Sequence, residues 1–307
     1  MMIPLIIFRN FLKKKITAIS LKQFEDDKLL QIKSTRSAAE YCWTCTASTV
    51  LYAINTFSLE HCIYIDADMC FYSNPQSLID EWSDKSILLT EHRYTTNYDQ
   101  SAISGKYCVQ FVGFKNNDDG LEALTYWRNA CIDWCYARAE DGKFGDQKYL
   151  DDWQTRFKNV HVLNHLGGGI APWNMQQYHF IEDKGKIIGI EKATKTVFDA
   201  VFFHFHGLKV YQDLCFSLTG EEYKMNESAL KLFYLPYANQ LAKVSSQIHV
   251  NIDNKFDANG ANQVYPIKRI NILSLLKWYL YDVKTNISNI TGKRTLSRFK
   301  NKHYIKL

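Results

Sequence analysis

"HCIYIDADMCFYSNP" (61–75) is the stretch on which the reading of this sequence turns. Cys62-Ile63-Tyr64-Ile65 reads as a short buried strand, ending at about Asp66. It runs into Asp66-Ala67-Asp68, although Asp is depleted in strands. Asn74-Pro75 then opens a helix expected to reach about Trp82, with a capping side chain and proline at the first position. At a strand end, residues i and i+2 point the same way. Two carboxylates on one side repel unless a cation sits between them. Mg²⁺ or Mn²⁺ suits such a pair, because these hard ions take a few protein oxygens and keep open positions for substrate phosphates. The competing reading is a solvated turn in which Asp simply ends the strand.

Around this stretch, strands and helices alternate, which argues for an α/β domain. Residues 34–57 read as a helix opened by a Ser/Thr cap. Apolar runs at 86–90, 108–114, 160–163 and 200–205 read as strands. Asp118 or Asp119 is expected to cap a helix with Leu121, Leu124, Trp127, Cys131, Trp134 and Cys135 on one face, ended by Gly142. Asp146 is expected to open another helix. From about 221 the pattern becomes helical and basic, with Ile270, Leu273, Leu276, Trp278 and Leu280 as the apolar residues of one helix. The expected organisation is a catalytic domain over 1–220 and a helical, basic extension over 221–307.

Further motifs fall at strand ends or loops, where α/β folds bind ligands. "AVFFHFHGLKVY" (200–211) ends an apolar strand in two histidines, a glycine and a lysine. An imidazole can complete a metal shell begun by carboxylates; His204 and His206 share one side of the strand, and His204 is the expected ligand. Gly207 permits close backbone approach to an anion, and Lys209 can neutralise a phosphate. In "GKFGDQKYLDDW" (142–153), Asp146 and Gln147 are candidates to bind sugar hydroxyls or to lie near a reacting carbon. Helix capping is the plainer role for Asp146. "HLGGGIAPWN" (165–174) is a tight loop but no P-loop, since it lacks G-K-[ST]. Its Trp173 either stacks on a sugar or base or is simply buried. "CWTC" (42–45) lies within a helix with no second C-x-x-C, so its thiols read as core residues.

The 307 residues are 46% hydrophobic and 14% aromatic, enough for a globular core. The net charge is +5. Residues 264–307 hold ten Lys/Arg against one acid, Asp282, a net +9 that leaves −4 for the rest. A pull toward anionic lipid therefore belongs to the tail, which could tether the protein to a membrane or form a cap with a solvated basic face. No apolar run approaches a membrane span, and the N-terminus is not built like a signal peptide. The eight cysteines then read as reduced thiols of a cytoplasmic protein.

Taken in order, "CIYIDADMCFYSNP", "FVGF", "DGKFGDQKYLDDW", "HLGGGIAPWN" and "FFHFHGLK" resemble bacterial sugar-nucleotide glycosyltransferases of the GT-A type. The relation is to glycosyltransferase family 8, the group of glycogenin and the lipopolysaccharide galactosyltransferases, and covers roughly residues 20–215. The resemblance implies a mixed central sheet flanked by helices. It also implies Mn²⁺ or Mg²⁺ held by Asp66, Asp68 and His204, and a nucleotide-diphosphate sugar, most simply a UDP-sugar, as donor. Gly207 and Lys209 would bind the diphosphate, Asp146 and Gln147 would lie near the donor sugar, and transfer would retain anomeric configuration. The acceptor would be a glycan or lipid-linked hydroxyl, in capsule or lipopolysaccharide synthesis, and no nucleic acid is implied. The family's late motif is H-F-x-G-x-x-K-P-W; here Lys209 falls one residue early and Pro-Trp is absent. Such enzymes also begin with a β-α unit ahead of the segment equivalent to 16–30, and this sequence is expected to lack it or carry it reduced. Two other readings compete. One is a degenerate transferase with a non-catalytic binding role. The other is a metal-dependent phosphohydrolase, which the Cys70 position and the missing late G-D-x-x-x-D disfavour.

Overall fold

The computed structural model describes residues 16–211, 215–220, 223–251, 276, 279–280 and 304–306. The protein is of mixed α/β class and divides into two compact units, each discontinuous in sequence. One takes Met1–Asp66, Leu78–His92 and Gln100–Asn164; the other takes Ala67–Ser77, Arg93–Asp99 and His165–Leu307. Of the expected helix with Ile270, Leu273, Leu276, Trp278 and Leu280 as its apolar residues, only Leu276 and Leu280 are among the described residues, and most of the basic tail over 264–307 lies outside them.

The first unit is a four-stranded mixed sheet with helices. Two short helices, Leu21–Phe24 and Asp27–Lys33, precede α1 (Ala38–Phe57). Ser37 and Glu40 form a capping box at the start of α1, each side chain bonding the other's backbone N–H, a device worth about 1 kcal/mol. The strands are β1 (His61–Ile65), β3 (Ile87–Glu91), β4 (Tyr107–Lys115) and β5 (Val160–Val162), in the order β1-β4-β3-β5. Here β2 (Met69–Phe71) is skipped because it belongs to the second unit. The β1–β4 and β3–β4 pairs are antiparallel and β3–β5 is parallel. Central β4 is buried at every position but its last. Edge strand β1 is only partly covered, with Ile65 47% exposed. Among the described residues no strand precedes β1.

Asn74 and Pro75 lead into α2 (Gln76–Trp82), with Asn74 Oδ1 accepting from Gln76 N at 3.0 Å, as expected. The helix α3 (Asp118–Asp133) differs from expectation at both ends. Asn117, not an aspartate, is its cap, accepting from Gly120 N. It stops at Asp133 rather than Gly142, because Trp134 turns extended. The buried rings of Phe114, Trp127 and Trp153, with centroids 5.9–6.0 Å apart, anchor α3 on the sheet. Stacked and edge-to-face pairs of this kind add about 0.5–1.5 kcal/mol each beyond area burial.

The second unit carries β2 paired with β9 (Phe202–His204), a three-stranded antiparallel sheet of β6 (Tyr178–Asp183), β7 (Lys186–Glu191) and β8 (Val197–Asp199), and a small sheet of β10 (Lys209–Val210), β11 (Cys215–Ser217) and β12 (Tyr304–Lys306). A helical turn at Glu227–Ala229 passes through a π-helical turn, Leu230–Tyr234, into α4 (Leu235–Asn251). Its core is aromatic. Phe203 stacks on Phe233 and touches Phe205 and Tyr234, and Tyr237 stacks on Phe205 at 3.8 Å. This core fixes β9, and β9 carries the site.

Candidate metal centre

The β2–β9 ladder brings Asp68 to the histidines. Met69 faces His204 across the pair, and Phe205 N donates to Asp68 O at 2.8 Å, extending the ladder by one bond. On the other side, His204 N donates to Ile170 O at 2.9 Å. The chain then turns sharply, with Leu208 N donating to Phe205 O at 2.9 Å and Gly207 at φ +78°. A positive φ at the third position is what a type II turn requires. His206 therefore occupies the exposed first corner of that turn, the position before Gly207.

The outcome is a group of three. Ligand atoms of Asp68, His204 and His206 all lie within 4.8 Å of one another. His204 is buried, and its Nε2 donates to Asp68 Oδ1 at 3.0 Å. Asp68 has a half-exposed side chain, 48% in solvent. Partial burial pushes its carboxyl up, but the His204 hydrogen bond and the charges of His204 and His206 outweigh this and hold it below its ordinary value. Trp173, 4% exposed, lies edge-on to both imidazoles with ring centroids at 5.5 Å.

This donor set fits a divalent ion. Two ligand atoms each about 2.1 Å from an ion and at right angles lie about 3.0 Å apart, and that is the Asp68–His204 separation. The His204 hydrogen bond stands where an ion would sit, its proton giving way on binding. The exposed sides of Asp68 and His206 leave coordination positions open.

Asp66 does not belong to this group. The expectation that Asp66 and Asp68 share one side rested on strand alternation. The strand ends at Ile65, and residues 67–68 form a turn, so the alternation lapses there. Asp66, in the first unit, accepts from Tyr64 Oη at 2.9 Å, and its N–H donates to Gln110 O. Asp146 opens no helix. It is 6% exposed in the first unit, and the short helical turn Lys148–Asp152 starts two residues later. Burial, aided by the charge of Asp66, raises its carboxyl to about 7, against a hydrogen bond from Thr46 that lowers it. Its carbonyl accepts from Trp127 Nε1 at 2.8 Å. Gln147 beside it is half-buried. Lys209 is exposed at the start of β10. Trp173 is buried against the imidazoles and so presents no open face for stacking. In "CWTC", Cys45 is buried but Cys42 is exposed, so only one of the two is a core thiol; all eight cysteines are free.

Three contributors escaped the sequence reading. His206 was set aside in favour of His204, although the H-F-H spacing offered it. Arg93 Nη1 donates to the carbonyls of His165, Leu166 and Gly168, at 3.1–3.3 Å, and so braces the glycine loop. Gly167 in that loop is a packing device: a Cβ there would fall 1.9 Å from Asp199 O. The loop's work is to hold Ile170 and Trp173 against β9.

Two proteins of Bacillus subtilis (strain 168) are similar to this chain. The uncharacterized protein YfnD is 29% identical over 240 residues, 76% of this chain and 74% of YfnD. The uncharacterized protein YfnF is 31% identical over 205 residues, 64% of this chain and 66% of YfnF. No protein-family profile matches the chain. No helix among the described residues is long and apolar enough to cross a membrane.

Proposed function

We propose that the protein is a metal-dependent glycosyltransferase of the GT-A type, acting on a nucleotide-diphosphate sugar. The observation that carries this reading is the meeting of Asp68 and His204 at 3.0 Å. The D-x-D stretch and the H-F-x-G stretch are far apart in sequence, and the resemblance pairs those two residues as ligands of one ion. A bound divalent ion would supply Lewis-acid stabilisation of the departing diphosphate, worth several kcal/mol.

The chain's own residues do the rest. Asp68 and His204 hold the ion, and the Ile170–His204 bond and Trp173 fix the imidazole. Gly207, held in its left-handed conformation, leaves the turn without a side chain at that corner. Exposed Lys209 supplies a cation for phosphate. The acceptor in this reading is a glycan or lipid-linked hydroxyl.

Incubating the purified chain with a panel of sugar nucleotides and Mn²⁺, and following sugar transfer or hydrolysis, tests the proposal. Turnover that needs metal and falls at least about a hundredfold in Asp68→Ala supports it. Absence of turnover and of binding across the panel overturns it, and unaltered activity in Asp68→Ala sinks the metal assignment.

A further inference from the structure

We propose that His206 is itself a metal ligand, and that with it the centre is a two-imidazole, one-carboxylate site that selects first-row transition ions over Mg²⁺. The inference rests on the metal reading above and adds to it which residue completes the shell and which class of ion the shell accepts.

Three observations carry it. The first is geometric: the His206 ring nitrogen, the His204 ring nitrogen and an Asp68 oxygen already lie within 4.8 Å of one another. The second is the backbone. The type II turn closed by Leu208 N and Gly207 puts His206 at its corner, one residue past the end of β9. Simple strand alternation does not set its direction; the turn does. The third is Trp173. Its buried indole meets both imidazoles edge-on at the same 5.5 Å, and the two imidazoles lie 5.7 Å apart at 79°. One rigid side chain thus restrains both rings.

The donor set then decides the ion. Mg²⁺ demands near-octahedral oxygen ligation and gives up water reluctantly. Imidazole nitrogen suits Mn²⁺, Co²⁺ and Zn²⁺ far better, with affinity rising along that series. A single carboxylate is a poor anchor for Mg²⁺, whereas the same carboxylate with two imidazoles makes one face of a transition-ion shell. The opposite face stays open through the exposed sides of Asp68 and His206.

The test is direct metal binding to the full chain, stripped with chelator and without donor sugar. Calorimetry with MnCl₂, CoCl₂, ZnCl₂ and MgCl₂ is expected to show at least about tenfold tighter binding of each transition ion than of Mg²⁺. Pulsed EPR on the Mn²⁺-loaded chain is expected to show coupling to two imidazole nitrogens. In His206→Ala, and in the bulk-preserving His206→Gln, one coupling disappears. Transition-ion affinity drops about tenfold or more, and Mg²⁺ affinity stays within about twofold. His179→Ala, an exposed histidine elsewhere in the same unit, serves as the control and leaves both readouts unchanged. Two nitrogen couplings that persist in both His206 variants, or Mg²⁺ binding as tight as Mn²⁺ in the wild type, overturn the inference while leaving a metal site. A wild-type chain that binds no divalent ion overturns this inference together with the metal reading beneath it.

Discussion

Asp68, in the second unit, has an imidazole at 3.0 Å and half of its side chain in solvent. Asp146, in the first unit, is 6% exposed, and the charge that acts on it most is another carboxylate, Asp66. The two residues have the same chemistry and opposite titration. Imidazole partners hold Asp68 ionised, whereas burial drives Asp146 up to about 7. A carboxylate kept charged is suited to hold a cation. One that titrates near pH 7 is suited to exchange a proton. The type of residue says nothing about which task it performs; the neighbours do.

The largest expected effect comes from Asp146. Its folded value of about 7 exceeds the ordinary 3.8, so the folded chain keeps a proton that the unfolded chain releases. Its contribution to stability is therefore greatest below pH 4, declines through the window from about 4 to 7, and is constant above it. Across that window the loss is roughly 4 kcal/mol. Urea denaturation at pH 5 and pH 8 checks this: Asp146→Asn is expected to gain stability relative to wild type at pH 8 and much less at pH 5. An equal difference at both pH values would break the contrast between the two aspartates.

Metal binding separates them next. Asp68→Ala is expected to weaken Mn²⁺ binding about a hundredfold, or about 2.7 kcal/mol. Asp146→Asn, outside the three-ligand group, is expected to leave it within about twofold. Calorimetry on both variants measures the ratio.

The smallest effect sharpens the cause of the Asp146 shift. Thr46→Val removes the hydrogen bond that lowers this carboxyl, so its value rises further. Asp66→Asn removes the charge that raises it, so its value falls. Carbon-13 NMR of the labelled carboxyl follows both, and shifts in the same direction in the two variants would discard this assignment of causes.

The sequence disclosed what local chemistry decides. The Ser/Thr-capped helix expected over 34–57, the Asn74-Pro75 helix start and the strands expected at 86–90 and 108–114 rest on neighbours within a few residues, and the structure has them at Ala38–Phe57 behind Ser37, at Gln76–Trp82, and at 87–91 and 107–115. It misled where the deciding partner is distant. Gly142 looked like a helix end, yet α3 stops at Asp133, and the segment that follows is tied back by the Trp127–Asp146 bond. Asp146 looked like a cap because nothing local announces Thr46, a hundred positions earlier. The Asp66–Asp68 pair looked like one site because strand alternation was carried past the strand's end at Ile65 into a turn. His206 was legible as sharing a side with His204 but was passed over as a ligand, and the turn that brings it to Asp68 shows only in the Phe205–Leu208 bond.

The π-helical turn at Leu230–Tyr234 has a consequence for how this protein tolerates changes of length. Its hydrogen bonds reach one residue further along the chain than those of an α-helix. Deleting a single residue there would leave a helix that still forms, with ordinary α-helical bonding. Everything downstream would keep its phase around the axis, because the wider turn takes up that one residue. Tyr237 would stay stacked on Phe205, and Ala238 would stay in the core. A second deletion would have no such slack: it would swing Tyr237 by about 100° away from Phe205, and since Phe205 lies between the two histidines, the floor beneath the imidazoles would loosen. Single-residue gaps in homologous chains should accordingly be tolerated at these five positions, as in turns such as Lys184-Gly185, where the β6–β7 hairpin reverses in open space.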